Sequence, residues 1–364
     1  MNALGLDALY SATGRSMFTK SISSDWLPQH VNVSRWLSHY TADELEIRVR
    51  RQRVVLPICS FGTPPDRVER LGPLVLPPLF TEALDLELKS SVLLRIGACF
   101  PFLHGDRRRE QADTKVEIVE LPPKKLSRRA ATPQILAFSV DTAVEQHGPH
   151  LPLATDRIQS YAVLAQLADE VEGFFLAPPI DYGHLTWGLP RGLSIDIGPT
   201  LLSRYVARYA AALAARYEPS ALYVVDVHGS PVHRRAIEEG LAASGVSCWR
   251  FRWLHQPLVE FAADRGDQHA GGVETAVVEA IEPNLLDSRW WPDRIAELQA
   301  GEMTFEMALR LQNDLTEFVR FAEAHSWNGI VGRILNYRDL EGSALLERMF
   351  DVARHDVREL LAVG

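Results

Sequence analysis

Short apolar runs and helix-spaced apolar positions alternate through the middle of the chain. Ile135-Leu136-Ala137-Phe138-Ser139-Val140, Phe174-Phe175-Leu176-Ala177 and Ala221-Leu222-Tyr223-Val224-Val225-Asp226-Val227 read as buried strands, and Cys248-Trp249-Arg250-Phe251-Arg252-Trp253 as a fourth. Between them, helical patterns run from Asp156 toward Val171, from Leu202 to Tyr217 and from Val232 to Ala243. Asp156 reads as the N-cap of the first. Strands separated by helices of this length predict an α/β fold, a three-layer α/β/α arrangement around a mostly parallel central sheet. Ligands of such sheets bind beyond the carboxyl ends of the strands.

The pattern breaks at Leu121-Pro122-Pro123-Lys124-Lys125-Leu126-Ser127-Arg128-Arg129-Ala130-Ala131-Thr132-Pro133, an exposed linker with prolines near both ends. It divides the chain into an N-terminal extension, residues 1–133, and a main unit, residues 134–364. Upstream, Arg107-Arg108-Arg109 reads as a solvated loop. Leu37–Leu45 suggests a short helix and Arg53–Gly62 a strand, which fit a degenerate copy of the main unit's opening, a large insertion or a separate domain. At 364 residues and 46% hydrophobic composition the chain can bury a large core. A net charge of −9 argues against nucleic acid as a partner, since phosphate binding needs a concentrated basic surface. The three cysteines lie far apart, which suits a cytoplasmic location better than a disulfide framework. The N-terminus shows no signal-peptide pattern, and no run of about 18 apolar residues suggests a membrane span.

Chemistry concentrates in Glu145-Gln146-His147-Gly148-Pro149-His150-Leu151-Pro152-Leu153-Ala154-Thr155-Asp156. On an extended backbone, Glu145 and His147 project to the same side, roughly 7 Å apart. Pro149 and Pro152 stiffen a loop that can return Asp156 to the same place. Each residue alone would pass for a solvated polar group, but the set has metal-ligand character. His228 follows the third strand directly. His269-Ala270-Gly271-Gly272-Val273-Glu274-Thr275 leads into a further helix, with Glu274 in its first turn, a place where the helix dipole favours a carboxylate on its own account.

These three motifs, in this order, resemble the creatininase (creatinine amidohydrolase) family. Tyr182-Gly183-His184 with Pro190-Arg191-Gly192-Leu193-Ser194, and Gly329-Ile330-Val331-Gly332 with Glu341-Gly342, extend the resemblance over about residues 134–364. It implies a dinuclear site in which Glu145, Asp156 and His228 hold one divalent ion and His147, Asp156 and Glu274 the other, with Asp156 bridging. Three carboxylates, two divalent ions and one hydroxide sum to zero charge, which suits a buried site. The mixed ligands suit Zn²⁺ or Mn²⁺, with Fe²⁺ possible in principle.

The implied reaction is hydrolysis of a C–N amide bond in a small molecule by metal-activated hydroxide, with catalytic His269 passing a proton to the leaving nitrogen. A homo-oligomer is expected. His184, Trp187, Arg191, Ser230 and His233 are the expected substrate-pocket residues, and Trp249 and Trp253 could add aromatic walls. Arg191 could recognise an anion or pair with Asp196. Creatinine is not the expected substrate, because Ser230 stands where creatininase carries a glutamate. Asp226 likewise replaces a usual asparagine. Two other readings stand beside this one: a peptidase trimming a short or modified peptide, and an inactive binding protein on the same fold.

Overall fold

A computed structural model describes residues 54–59, 74–81, 84–99, 116–121, 134–185, 194–290, 294–300, 303–311, 314–324 and 327–363. The early helix at Leu37–Leu45, the Arg107–Arg109 run, the 122–133 linker, and the pocket candidates Trp187 and Arg191 lie outside these residues.

Before residue 134, strands β1 (Val54–Cys59), β2 (Leu79–Phe80) and β3 (Val116–Leu121) form a parallel sheet of order β2-β1-β3, accompanied by helix α1 (Leu86–Cys99). This sheet shares a continuous buried cluster with the rest of the molecule. Polar contacts reinforce the join. Tyr182 and Tyr205 donate their hydroxyls to the carbonyls of Pro77 (2.6 Å) and Phe80 (2.7 Å), and Arg95 pairs with Asp196 at 2.7 Å.

The main sheet follows the alternation of the sequence: β4 (Ile135–Ser139), α2 (Thr155–Glu170), β5 (Phe174–Leu176), α3 (Pro199–Tyr217), β6 (Ala221–Asp226), α4 (Pro231–Ala243) and β7 (Trp249–Trp253). All pairs are parallel and the order is β5-β4-β6-β7. Helices α5 (Val259–Arg265), α6 (Gly272–Ile281), α7 (Ile295–Ala300), α8 (Phe305–Leu311), α9 (Leu315–Ala324) and α10 (Gly342–Val363) complete the described chain.

Strand alternation shows why the fold has three layers. Ala137 pairs with Tyr223, and Tyr223 reaches Asp356 of α10 from one face. The neighbouring Phe138 pairs with Val224 and meets the ring of Tyr209, on α3, at 5.2 Å from the other. Covered on both sides, β4 and β6 are buried along their whole length, so they read as continuous rather than alternating apolar runs.

The topology also fixes where chemistry belongs. The chain leaves β4 through α2 to reach β5 on one flank, then crosses through α3 to β6 on the other. Adjacent strands whose connections depart in opposite directions leave a crevice beyond their carboxyl ends. Asp141 to His147 follow β4, and His228 follows β6. At α2 the sequence expectation needs correction: Thr155 is the first helical residue, Ala154 takes the cap position without a side-chain bond, and Asp156 lies inside the first turn. Thr155 donates its hydroxyl to the Pro152 carbonyl at 2.7 Å, while the Asp156 carboxylate turns away from its own helix toward Thr142.

Candidate metal centre

Five side chains from four segments meet in this crevice. Asp156 stands between two histidines, with Oδ1 3.3 Å from His147 Nε2 and Oδ2 3.4 Å from His228 Nδ1. Glu145 approaches His228 Nδ1 at 2.9 Å, and Glu274 lies 4.0 Å from His147 Nε2. One carboxylate oxygen thus faces each side, which is the disposition a bridging carboxylate needs. All five side chains are at most 10% exposed.

Local contacts aim these groups. His147 Nδ1 lies 3.1 Å from the Glu145 carbonyl, which can only accept, so Nδ1 carries the proton and Nε2 presents its lone pair to the centre. Glu274 is anchored by the Ala270 amide at 2.6 Å. Thr142 places a single hydroxyl 2.6 Å from both Glu145 Oε2 and Asp156 Oδ2. One proton cannot serve both carboxylates, so positive charge is required beside them.

The ionisation of the protein without a cation says the same. Burial alone would push His147 down, yet Asp156, Glu274 and Glu145 outweigh it and carry the imidazole up to about 10. His228 is raised against its burial by Glu145 and Asp156. Burial pushes the Glu274 carboxyl up to about 8, against the pull of His147. Asp156 moves the other way: burial raises it, but His147 and His228 hold it well below the usual carboxylate range.

Protein atoms alone leave this centre incomplete. Glu145 Oε1 and His228 Nε2 are buried and have no hydrogen-bond partner, and His147 Nε2 and Asp156 Oδ1 have only each other, at 3.3 Å, a costly state for polar atoms. Ligand atoms of Glu145, His147 and Asp156 lie within 4.8 Å of one another, as do those of His147, His269 and Glu274. Imidazole and carboxylate donors at these spacings fit Zn²⁺ or Mn²⁺.

His269 is set against this centre by the closing segment of the chain. Its backbone pairs with Val331 in both directions, at 2.9 and 2.8 Å, and its ring lies 4.4 Å from that of His147. Nε2 lies 2.9 Å from the Gln146 carbonyl and must donate there, leaving Nδ1 unprotonated. Burial and the neighbouring His147 lower the imidazole to about 4, so it rests neutral.

The other pocket candidates differ. His233 is fully buried: Nδ1 accepts from the His184 amide at 3.1 Å and Nε2 donates to the Val140 carbonyl at 3.0 Å. With both nitrogens engaged behind His228, it supports the wall and does not meet a substrate, contrary to the sequence expectation. His184 lies 3.2 Å from Asp196, whose other carboxylate oxygen takes Arg95. Ser230 caps α4, accepting from the His233 amide.

Asp226, the replacement for asparagine, accepts from the Gly229 amide at 3.1 Å, and burial raises it to about 7. Sequence reasoning passed over Thr142, for which nothing but its proximity to Glu145 gave a signal. It also passed over Arg234. That side chain stacks 4.2 Å over Trp253 beside a cavity of about 310 Å³ that reaches His228 and Glu274.

A doubly wound sheet that gathers carboxylates and imidazoles at its switch point defines an α/β protein whose crevice could hold a metal ion. The chain belongs to the creatininase (creatinine amidohydrolase) family, whose model matches residues 130–355. It is 30% identical over 158 residues to the mycofactocin precursor peptide peptidase of Mycobacterium ulcerans, covering 40% of this chain and 57% of that protein. The corresponding protein of Mycolicibacterium smegmatis is 31% identical over 149 residues, covering 39% and 56%. The match thus spans little more than half the length of these relatives. A solved creatininase with Mn aligns at 18% identity and TM-score 0.47, over 62% of this chain and 90% of that one. A candidate creatinine amidohydrolase from Bacteroides fragilis aligns at 17% and 0.48, over 63% and 90%. Among the described residues, no helix is long and apolar enough to cross a membrane.

Proposed function

We propose that this protein is a dinuclear metal-dependent amidohydrolase that cleaves a C–N amide bond in a small molecule. The observation that carries the reading is the convergence of Glu145, His147, Asp156, His228 and Glu274 with buried atoms left unpartnered at their centre. Glu145, Asp156 and His228 would hold one ion, and His147, Asp156 and Glu274 the other. Bound divalent ions supply Lewis acidity and an activated water at neutral pH.

The chain's own residues do the rest. The Glu145 carbonyl turns His147 so that its Nε2 lone pair serves the centre, and His228 turns Nδ1 toward Glu145 and Asp156. His269 keeps Nε2–H on the Gln146 carbonyl and offers Nδ1 to take up a proton and return it to the leaving nitrogen. Gln146 holds that ring in place through its carbonyl, with its own side chain donating to the Asn328 carbonyl at 2.9 Å.

A second reading, a peptidase on a short or modified peptide, draws support from the name borne by the two mycobacterial relatives. A panel of formamides, lactams, ureas, creatinine and short peptides, assayed with and without chelator, separates these readings. Turnover of an amide that stops on chelation and returns with Zn²⁺ or Mn²⁺ is expected, with creatinine left intact. Activity indifferent to chelation, or brisk hydrolysis of creatinine, would contradict the assignment. A protein that stays inert across the panel with two ions bound would favour the inactive binding protein.

A further inference from the structure

The cavity beside the metal centre has two unlike walls. Leu258, Val259, Ala262 and Ala263 make one of them apolar, while Arg234 and Trp253 stand near His228 on another. Trp253 is pinned: its indole N–H donates to the Val227 carbonyl at 3.1 Å. Gly229, at φ +72°, lies so close that a Cβ there would come within 2.6 Å of the indole nitrogen. The indole in turn carries the Arg234 guanidinium, 4.2 Å over its ring. A rigid strand residue thus fixes a cation at the edge of the cavity.

What is missing around Arg234 matters as much. Its Nε is buried with no hydrogen-bond partner, and among the described residues no carboxylate lies within ion-pair distance of it. Arg252, which lines an adjoining cavity of about 460 Å³ together with Arg234, Arg235 and Glu238, is by contrast satisfied by Asp356 at 2.6 Å. Asp267, the acid on the cavity wall besides Glu274, is spent on the Val273 amide at 2.8 Å. A stacked guanidinium that lines a cavity without a carboxylate partner is a receptor for a planar anion.

We propose that Arg234 is a specificity-determining residue and that the substrate is an apolar amide bearing a free carboxylate, such as an N-acyl amino acid or the carboxyl-terminal part of a short peptide. The carboxylate meets the guanidinium of Arg234 from the cavity while the apolar body lies along Leu258, Val259 and Ala262, and the amide is thereby directed to the centre between His228 and Glu274. This rests on the proposed amidohydrolase reading and names its substrate class.

The test is calorimetric binding of N-acetyl-L-tyrosine and N-acetyl-L-leucine, each against its carboxamide, to the metal-loaded protein and to R234Q and R234K. The metal content of every preparation is measured alongside. The wild type should prefer each acid over its amide by about 10- to 100-fold, the value of a charge-assisted hydrogen bond. R234Q should lose that preference with its metal content unchanged, and R234K should keep part of it. Equal affinity for acid and amide, no detectable binding of either pair, or an undiminished preference in R234Q would overturn the proposal. A preparation without metal that still shows Arg234-dependent selectivity would instead count against the metal reading alone.

Discussion

Replacing Asp156 by asparagine preserves the shape of the side chain and removes one charge where both ions would be held. Oδ1 faces His147 at 3.3 Å and Oδ2 faces His228 at 3.4 Å, so the substitution weakens both sides at once. Three carboxylates, two divalent ions and a hydroxide sum to zero; D156N leaves a buried charge of +1. Stripping one partner from a buried charge pair costs about 3–5 kcal/mol. At about 1.4 kcal/mol per factor of ten, that corresponds to roughly 10²- to 10⁴-fold weaker ion binding. Titration of the metal-free protein with Zn²⁺ or Mn²⁺ against a chromogenic chelator reads the loss directly. The outcome should be one weakly held ion per chain, or none, at chelator concentrations that leave the wild type with two. A variant holding two ions with wild-type affinity would refute the bridging assignment.

H269A should lower turnover by roughly 10²- to 10⁴-fold, the range for a positioned acid or base, with metal content unchanged; loss of an ion would make His269 a ligand, as its reach to His147 and Glu274 permits. The metal-free protein should lose stability as pH rises. His147 is raised from 6.5 to about 10 and Glu274 from 4.5 to about 8 in the folded state. Their stabilisation is therefore complete below the lower value of each pair and gone above the higher one. Above pH 7 the buried His150, His233, His255 and His269, lowered to between about 3 and about 4, are neutral in both states, so thermal unfolding between pH 7 and 10 checks this, and a metal-free melting temperature that climbed across that range would contradict it. G229A combines a positive φ with a contact on Trp253, and should destabilise by about 1–3 kcal/mol. Chemical denaturation at unchanged midpoint would show that the strand-to-helix turn tolerates a Cβ.

Sequence reasoning captured the elements best where one physical signal dominated. β4, β5 and β6 were legible because strands covered on both faces become nearly unbroken apolar runs, and β7 because its aromatic residues alternate with arginines. Their spatial order was not, since β5-β4-β6-β7 depends on which flank each crossover takes. The convergence of Glu145, His147 and Asp156 was legible because their spacing is chemically unusual. Asp156 was misread as a cap because an acidic residue near a helix start serves a cap or a site equally well in one dimension. His233 shows the opposite limit. A histidine at the third position of a helix gives no hint that Val140 and His184 will take both its nitrogens. Arg234, on helix α4, was invisible because its stacking partner, Trp253, comes from the separate strand β7. Before residue 134 the sequence offered a strand at Arg53–Gly62 but nothing to show that Pro77 and Phe80 would accept from Tyr182 and Tyr205.

The central claim is best tested with crystals of protein prepared without chelator, using anomalous scattering at the zinc and manganese absorption edges. Two peaks are expected per chain, one among Glu145, Asp156 and His228 and the other among His147, Asp156 and Glu274, with Asp156 touching both. A crevice without metal peaks, or a single ion that does not touch Asp156, would contradict the account.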